Sequence, residues 1–182
     1  ILRLLIGIPA ENIFKILMLQ FVLIGATHAK CDLDIFKFGS NYEKVSQLIG
    51  DVPIISVSTP NRLFVPGEIV CNNEILFEGT PVFFIFLEDS LVRIELTRYN
   101  FGDGQPSLVD WAESQYGEIK KKPKSFYDAK PNASWFWDRS NALIQYAVES
   151  DESGFAESIL IESKNHSDLI NKQVEKDEAF AN

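Results

Sequence analysis

Histidine and cysteine are scarce in this sequence. Its 182 residues include two histidines, His28 and His166, and two cysteines, Cys31 and Cys71. A Ser-His-Asp or Cys-His catalytic site would depend on His166 alone, because His28 lies in an N-terminal hydrophobic segment. Zinc sites need several such ligands close together, and these four residues do not provide that pattern. The sequence therefore predicts no metal site, no cofactor and no histidine-dependent hydrolase.

Basic residues are also fewer than acidic residues. Lys and Arg total 17 against 26 Asp and Glu, which gives a net charge of −9. Nucleic-acid-binding proteins neutralise phosphates with a basic face, so this balance argues against a nucleic-acid partner. The hydrophobic fraction of 46%, with 14 Phe residues, is enough for a sizeable core. We expect a folded chain with one domain or two small ones.

Residues 1–29 have the order of a secretory signal peptide or an N-terminal anchor. Lys15 precedes an apolar run from Ile16 to Gly25, and small residues follow as far as Ala29. Cleavage after Ala29 would start the mature chain at Lys30. The run is short for a membrane span of about 20 residues, although an uncleaved anchor is an alternative. This pattern predicts a periplasmic or secreted protein.

The two cysteines both follow this segment. An even number of cysteines in an oxidising compartment favours a disulfide between Cys31 and Cys71, with two buried thiols as the alternative. The bridge would close a long loop and contribute about 3–4 kcal/mol of stability in the chain-entropy model.

The stretch FGSNYEKVSQLIG, residues 38–50, predicts a short helix. Asn41 is a suitable N-cap, and Gly50 allows the left-handed conformation that ends a helix. The residues expected on its buried face are Tyr42, Val45, Leu48 and Ile49.

Strand patterns follow this helix. Leu91–Arg98 alternates, with Val92, Ile94 and Leu96 expected on one face, so it predicts a half-buried antiparallel strand. Its partner is Val82–Leu87, and Glu88-Asp89-Ser90 is the connection. Other predicted strands are Ile54–Val57, Glu68–Cys71 and, after an Asn72-Asn73 turn, Glu74–Phe77.

The same order then recurs. Ser107 precedes a predicted helix at Leu108–Tyr116, which Gly117 ends. Strands are predicted at Ser134–Trp137, Ala142–Glu149 and Ser158–Ser163, and a polar C-terminal helix at Ser167–Glu178. The organisation is thus a first unit at 30–99, a second at 100–166 and a C-terminal helix and tail at 167–182. We expect an α+β fold of two helix-plus-antiparallel-sheet units, either in tandem or merged into one sheet with helices on one face.

The helical stretch also resembles a motif of exported proteins. Gly39, Asn41, Val45, Leu48 and Gly50 match the first-helix motif of small BamE-like and β-lactamase-inhibitory-protein-like α+β modules, while Ser40 replaces the usual Met. The resemblance implies an exported module, and in the inhibitory proteins a tandem repeat of a helical segment on an antiparallel sheet. The matching positions are structural, so the resemblance implies no site residue.

Candidate contact residues come from two other places. Trp135 and Trp137 should share one face of a strand while Phe136 takes the other, so at least one aromatic side chain would be partly outside unless the sheet is covered on both faces. Glu88 and Asp89 form an acidic connection that could enter a partner's cleft.

A lysine run provides a third candidate contact, with a solvated loop as the alternative. It could touch an anionic envelope surface through Lys120, Lys121, Lys122 and Lys124.

The sequence favours a function without catalysis. We expect an exported binding or envelope-assembly module that acts through a protein–protein surface. An inhibitor of a secreted enzyme is one alternative. A hydrolase that uses only carboxylates, such as Asp32 with Asp34, is the other.

Overall fold

The computed structural model describes residues 31–50, 61–71, 74–99, 108–119, 133–151 and 154–181. Some sequence predictions lie outside these residues and stay predictions. They are the export segment 1–29, the strand Ile54–Val57, the Asn72-Asn73 turn, the Ser107 cap and the lysine run from Lys120 to Lys124.

The described residues form six strands and four α-helices. The strands are β1 (Arg62–Pro66), β2 (Pro81–Leu87), β3 (Ser90–Tyr99), β4 (Ala133–Asp138), β5 (Ala142–Asp151) and β6 (Gly154–Ser163). The helices are α1 (Tyr42–Ile49), α2 (Gly67–Val70), α3 (Leu108–Tyr116) and α4 (Ser167–Ala181).

All six strands belong to one antiparallel sheet in the order β1-β2-β3-β6-β5-β4. The first three strands come from the first predicted unit and the last three from the second, and they join where β3 pairs with β6. The predicted α+β class is confirmed, in the form of one merged sheet. The helices do not all lie on one face, because α1 and α3 pack in the main core while α4 packs in a separate cluster with Leu87 and Val92.

The two faces of the sheet differ in burial. Alternate residues of each strand pack into the main core, which we call the inner face, and α1 and α3 contribute side chains to the same core. In β6, for example, Ile159 and Ile161 are buried, while Leu160 and Glu162 point to the other side and are only partly covered. We call that other side the outer face.

The predicted caps of α1 are confirmed. The Asn41 side chain accepts a hydrogen bond from the Lys44 amide at 3.1 Å. Gly50 has a φ of 89°, and its amide donates to the Ser46 carbonyl at 3.1 Å. These contacts satisfy groups that a helix end leaves without partners.

The predicted buried face of α1 is wrong at Leu48. Val45 is fully buried, and Tyr42 and Ile49 are partly covered, whereas Leu48 is 48% exposed. The covered stripe follows positions i, i+3 and i+7, and Leu48 lies at its flank.

The β2–β3 hairpin has the predicted strands but a different pattern near its turn. Ile85 pairs with Arg93 while Phe86 pairs with Leu91, so Val92 is an extra residue in a bulge. Leu91 packs in the main core, and Val92 packs instead in a second cluster. The prediction that Val92 shares a face with the later apolar residues of β3 is therefore wrong.

The predicted strands Glu68–Cys71 and Glu74–Phe77 are also wrong. The first segment forms α2 and the second contains the 3-10 helix Ile75–Phe77. The Gly67 amide donates to the Thr80 carbonyl at 2.8 Å, so the chain between β1 and β2 closes on itself. The tightness of that connection outweighs the strand propensity of its apolar residues.

The predicted bridge between Cys31 and Cys71 is confirmed, with Cα atoms 4.6 Å apart. The segment that begins at Cys31 has two further anchors. The Cys31 amide donates to a carboxylate oxygen of Glu74 at 2.6 Å, and the Cys31 carbonyl accepts from the Trp111 indole at 3.3 Å. The bridge therefore joins the segment that begins at Cys31 to the end of α2, and the Trp111 hydrogen bond joins the same segment to α3.

Candidate binding surface

The outer face presents a mixed polar and apolar surface across the sheet. Strand register places its side chains in rows that run across the six strands. One row contains Arg62, Ile85, Arg93, Glu162, Leu143 and Asp138, and the next contains Phe64, Phe83, Glu95, Leu160, Gln145 and Phe136.

Four charged side chains form a continuous network at the β1–β3–β6 part of this face. Arg62 donates to Glu95 at 2.8 Å, Arg93 lies 3.6 Å from the same carboxylate, and Arg93 also donates to Glu162 at 2.6 Å. The Arg62 guanidinium stands 3.9 Å from the centre of the Phe83 ring. Because each cation contacts a carboxylate, these contacts give the four side chains a defined geometry.

An apolar patch lies at the β4–β5–β6 part of the same face. Phe136 is 53% exposed and Leu143 is 36% exposed. Phe136 pairs with Gln145, and Gln145 pairs with Leu160. Leu143 comes two residues before Gln145 on β5, so it is a diagonal neighbour of Phe136 on one side and of Leu160 on the other. Such diagonal neighbours are close enough for aromatic and long side chains to meet. We call Phe136, Leu143 and Leu160 the apolar patch.

The aromatic sequence Trp135-Phe136-Trp137 divides between the faces as the alternation predicts. Trp137 is buried, and its indole donates to the Gly117 carbonyl at 2.6 Å. Trp135 is partly buried against Tyr146, with ring centres 5.6 Å apart. Both tryptophans therefore belong to the inner face, and Phe136 is the member of the three that the structure presents outward.

The acidic connection Glu88-Asp89 is a two-residue hairpin turn. Both residues are exposed, with φ values of 49° and 58°, the left-handed conformation of this turn type. Glycine or asparagine is usual at such positions, so this turn carries some backbone strain. The Glu88 carboxylate lies 3.9 Å from the Lys172 ammonium of α4.

Helix α4 covers one corner of the outer face. Its Ile170 is buried with Leu87 and Val92, and Leu169 and Ile85 pack against that cluster. The cluster lies beside the β2–β3 turn, whereas the apolar patch lies on β4, β5 and β6. The patch is therefore separate from the surface that α4 occupies.

Sequence reasoning missed a buried carboxylate on the inner face. Glu157 is fully buried, accepts from the Leu108 amide at 3.0 Å and from the Tyr146 hydroxyl at 3.3 Å, and lies 3.6 Å from Arg98. It holds the first turn of α3 from a strand remote in sequence. Its only sequence signal is a charged residue at an inner-face position of β6.

The carboxylates and the histidine singled out in the sequence have local contacts. The Asp32 side chain accepts from the Asp34 amide at 2.9 Å, which caps a short 3-10 helix. His166 Nδ1 lies 2.7 Å from the Ser163 hydroxyl. In the described part of the chain, no group of three or more His, Cys, Asp or Glu side chains could hold a metal ion. None of the described helices has the length and apolar character to cross a membrane.

No known protein family, curated protein or solved structure matches this chain. A functional proposal for it therefore depends on the geometry of the described surfaces.

Proposed function

We propose that this chain is an exported, non-enzymatic binding module that contacts a protein partner through the outer face of its sheet. The observation that carries the proposal is the apolar patch, which places a half-exposed phenylalanine and two leucines next to an ordered charge network. Aromatic residues and arginines are the residue types most enriched at protein interfaces.

The charge network suits recognition better than catalysis. Arg62, Arg93, Glu95 and Glu162 contact one another, whereas acid–base catalysis needs a carboxylate placed to exchange a proton with a substrate. A network with fixed geometry lowers the cost of ordering side chains when a partner binds.

The partner that fits this face is a protein with an apolar projection beside charged groups of both signs, since the network presents two arginines and two glutamates. The projection would bury Phe136 and Leu143, and removal of their exposed area from water favours association at about 25 cal/mol per Å². The net charge of −9 favours the approach of a basic partner and makes association slower as salt increases.

The disulfide supports the export part of the proposal. Bridges such as Cys31–Cys71 persist in oxidising compartments, which include the periplasm and the extracellular space.

Site-specific photo-crosslinking tests the proposed surface. One variant carries benzoylphenylalanine in place of Phe136, and a matched control carries it in place of Ile75, which is 86% exposed in the connection between β1 and β2. In the secreted or periplasmic fraction, we expect one protein to crosslink at position 136 and not at position 75. Loss of activity of a captured enzyme would assign the module to the inhibitor class.

Three outcomes contradict parts of the proposal. Equal crosslinking at both positions would indicate non-specific contact, and no adduct at position 136 would remove the outer face as a contact surface. Turnover of a glycan or ester by the purified chain would contradict its non-enzymatic part.

A further inference from the structure

The two edge strands of the sheet differ in how they are protected against pairing with another chain. β1 forms one edge and β4 the other. Edge strands of natural proteins avoid such pairing through short length, proline and charged side chains. β1 has five residues, begins with Arg62 and ends at Pro66. β4 contains three consecutive aromatic residues and no proline, so it is the less protected edge.

The register of the β4–β5 hairpin shows which backbone groups of β4 point away from β5, toward what we call the open edge. The Arg139 amide donates to the Ala142 carbonyl at 2.9 Å, and successive antiparallel pairs alternate between bonded and non-bonded ones. Counting back from this bond, the residues of β4 that do not bond to β5 are Ser134, Phe136 and Asp138. Their N–H and C=O groups therefore point to the open edge. In the part of the chain that the structure describes, no strand pairs with β4 on that side.

The sequence of β4 is nearly symmetric about Phe136. Trp135 and Trp137 flank it, and the polar residues Ser134 and Asp138 lie outside them. An isologous pairing of two copies needs a surface that is complementary to itself. A two-fold axis at Phe136 would place Phe136 opposite its own copy, Trp135 opposite Trp137, and the Ser134 hydroxyl opposite the Asp138 carboxylate. The residues that this register joins by backbone hydrogen bonds are 134, 136 and 138, the same three that point to the open edge.

The charges at the open edge permit this pairing. Asp138 is the charged residue of β4, and its carboxylate already contacts the Lys164 ammonium. In the symmetric register it faces a hydroxyl and not a second carboxylate. The net charge of −9 on each copy opposes association, but salt screens exposed charges that are more than about 8–10 Å apart at physiological ionic strength.

We propose that two copies of this chain associate through β4, with the two open edges paired antiparallel about Phe136, so that the two sheets join into one of twelve strands. Strand addition of this kind takes its affinity from main-chain hydrogen bonds and its specificity from the side chains beside them. The two apolar patches would then adjoin on the outer face. This inference goes beyond the proposed function, which needs only the outer face of a single chain.

Sedimentation velocity of the purified full chain tests the association. We expect a reversible monomer–dimer equilibrium with a dissociation constant of about 10–100 μM, as for a small interface. Ser134→Pro removes an N–H at the open edge and no hydrogen bond to β5, so it should raise this constant at least about tenfold. The matched control Ser134→Thr keeps both the N–H and the hydroxyl and should stay within about threefold of the wild type.

Two cysteine variants test the register. In Phe136→Cys the two Cα atoms of a dimer would lie about 5.5 Å apart, within the range of a disulfide. In the control Ser134→Cys they would lie more than about 13 Å apart, since position 134 faces position 138 and each residue of a strand advances about 3.4 Å. In a glutathione redox buffer we expect a covalent dimer of Phe136→Cys and none of Ser134→Cys, measured by mass spectrometry.

Three results would overturn the proposal. They are a wild-type chain that stays monomeric at about 200 μM, a folded Ser134→Pro that associates as the wild type does, or a covalent dimer of Ser134→Cys in place of Phe136→Cys. Far-UV circular dichroism checks the fold of each variant, and the cysteine pair decides the question if Ser134→Pro does not fold.

These results are distinguishable from a failure of the proposed function, because the purified chain is tested without any other protein. A monomeric chain would leave the outer face as the contact surface for a different partner. In the crosslinking at position 136, an adduct of twice the mass of the chain reports this association, and an adduct of another mass reports that partner.

Discussion

Gly67 shows how one small residue determines the connection between β1 and β2. A Cβ at this position would stand 2.5 Å from the Thr80 carbonyl oxygen and 2.6 Å from that of Phe77. Gly67→Ala would force two backbone segments apart, so we expect it to lower the free energy of unfolding by about 1–3 kcal/mol. Urea denaturation measures the change.

Gly79→Ala is the matched control for this effect. Gly79 has a φ of 69°, but a Cβ added there would meet no neighbour within 4 Å, so its substitution costs the backbone strain alone, about 1 kcal/mol. If Gly67→Ala were no more destabilising than Gly79→Ala, close packing at Gly67 would not be the cause.

Tyr146 should make the free energy of unfolding decrease at alkaline pH. Burial and the Glu157 carboxylate raise the pKa of its hydroxyl, and burial also raises that of Tyr116. The folded state therefore holds these protons more tightly than the unfolded state. This stabilisation is complete below about pH 10, the ordinary tyrosine pKa, and decreases as pH rises above it.

Urea denaturation between about pH 8 and pH 11 checks this prediction. Tyr146→Phe should be less stable at neutral pH, because it loses the hydrogen bond to Glu157, and should show a shallower decrease above pH 10. Tyr99→Phe, at a side chain that is 67% exposed, is the control and should retain the wild-type slope. A wild-type slope in Tyr146→Phe would contradict the role assigned to this hydroxyl.

Among the elements, α3 depends on a carboxylate supplied by β6. Glu157 accepts from the Leu108 amide, and its negative charge lies at the helix N-terminus, where it is favoured. Glu157→Gln removes the negative charge that lies near Arg98 and near the first turn of α3. We therefore expect the free energy of unfolding to fall by about 2–3 kcal/mol.

Glu88→Gln is the control for this substitution, because it removes a carboxylate from an exposed ion pair and should cost less than about 1 kcal/mol. Amide hydrogen exchange in α3 should also accelerate in Glu157→Gln. Equal stability of the two variants would show that Glu157 does not anchor the helix.

The disulfide joins the segment that begins at Cys31 to the end of α2. Replacing Cys31 and Cys71 together by serine should lower the unfolding free energy by about 3–4 kcal/mol, because the unfolded chain gains the freedom of an open 40-residue loop. Thermal unfolding with and without reductant is the measurement. If the melting temperature of the wild-type protein is the same with and without reductant, the bridge does not stabilise the fold.

The sequence predicted these elements unevenly. Helices α1 and α3 and the two hairpins carry local signals, namely caps, closing glycines and alternation, so their limits could be predicted. The segments at Glu68–Cys71 and Glu74–Phe77 have strand-like composition. Their actual conformation is set by the close approach of Gly67 to Thr80 and by the disulfide, and residue propensities cannot predict such contacts. Strand β1 was not predicted, since it has only five residues and ends in a proline.

At the scale of the whole molecule, the merged sheet could be predicted as a class, but its two faces could not be assigned in detail. Alternation correctly separated Phe136 from the two tryptophans. It could not show that Arg62, Glu95, Arg93 and Glu162 would form one network, because register across β1, β2, β3 and β6 brings them together.

The measurement that tests the central claim most directly is the affinity of the crosslinked partner, once purified, for the wild type, Phe136→Ala and Ile75→Ala. If the outer face is the contact surface, Phe136→Ala should raise Kd by about thirtyfold, which corresponds to a loss of about 2 kcal/mol in binding free energy. Ile75→Ala should leave Kd within about twofold, because Ile75 is exposed in the connection between β1 and β2 and is not part of the strands that form that face. A Kd for Phe136→Ala within twofold of the wild type would contradict the assignment of the outer face as the contact surface.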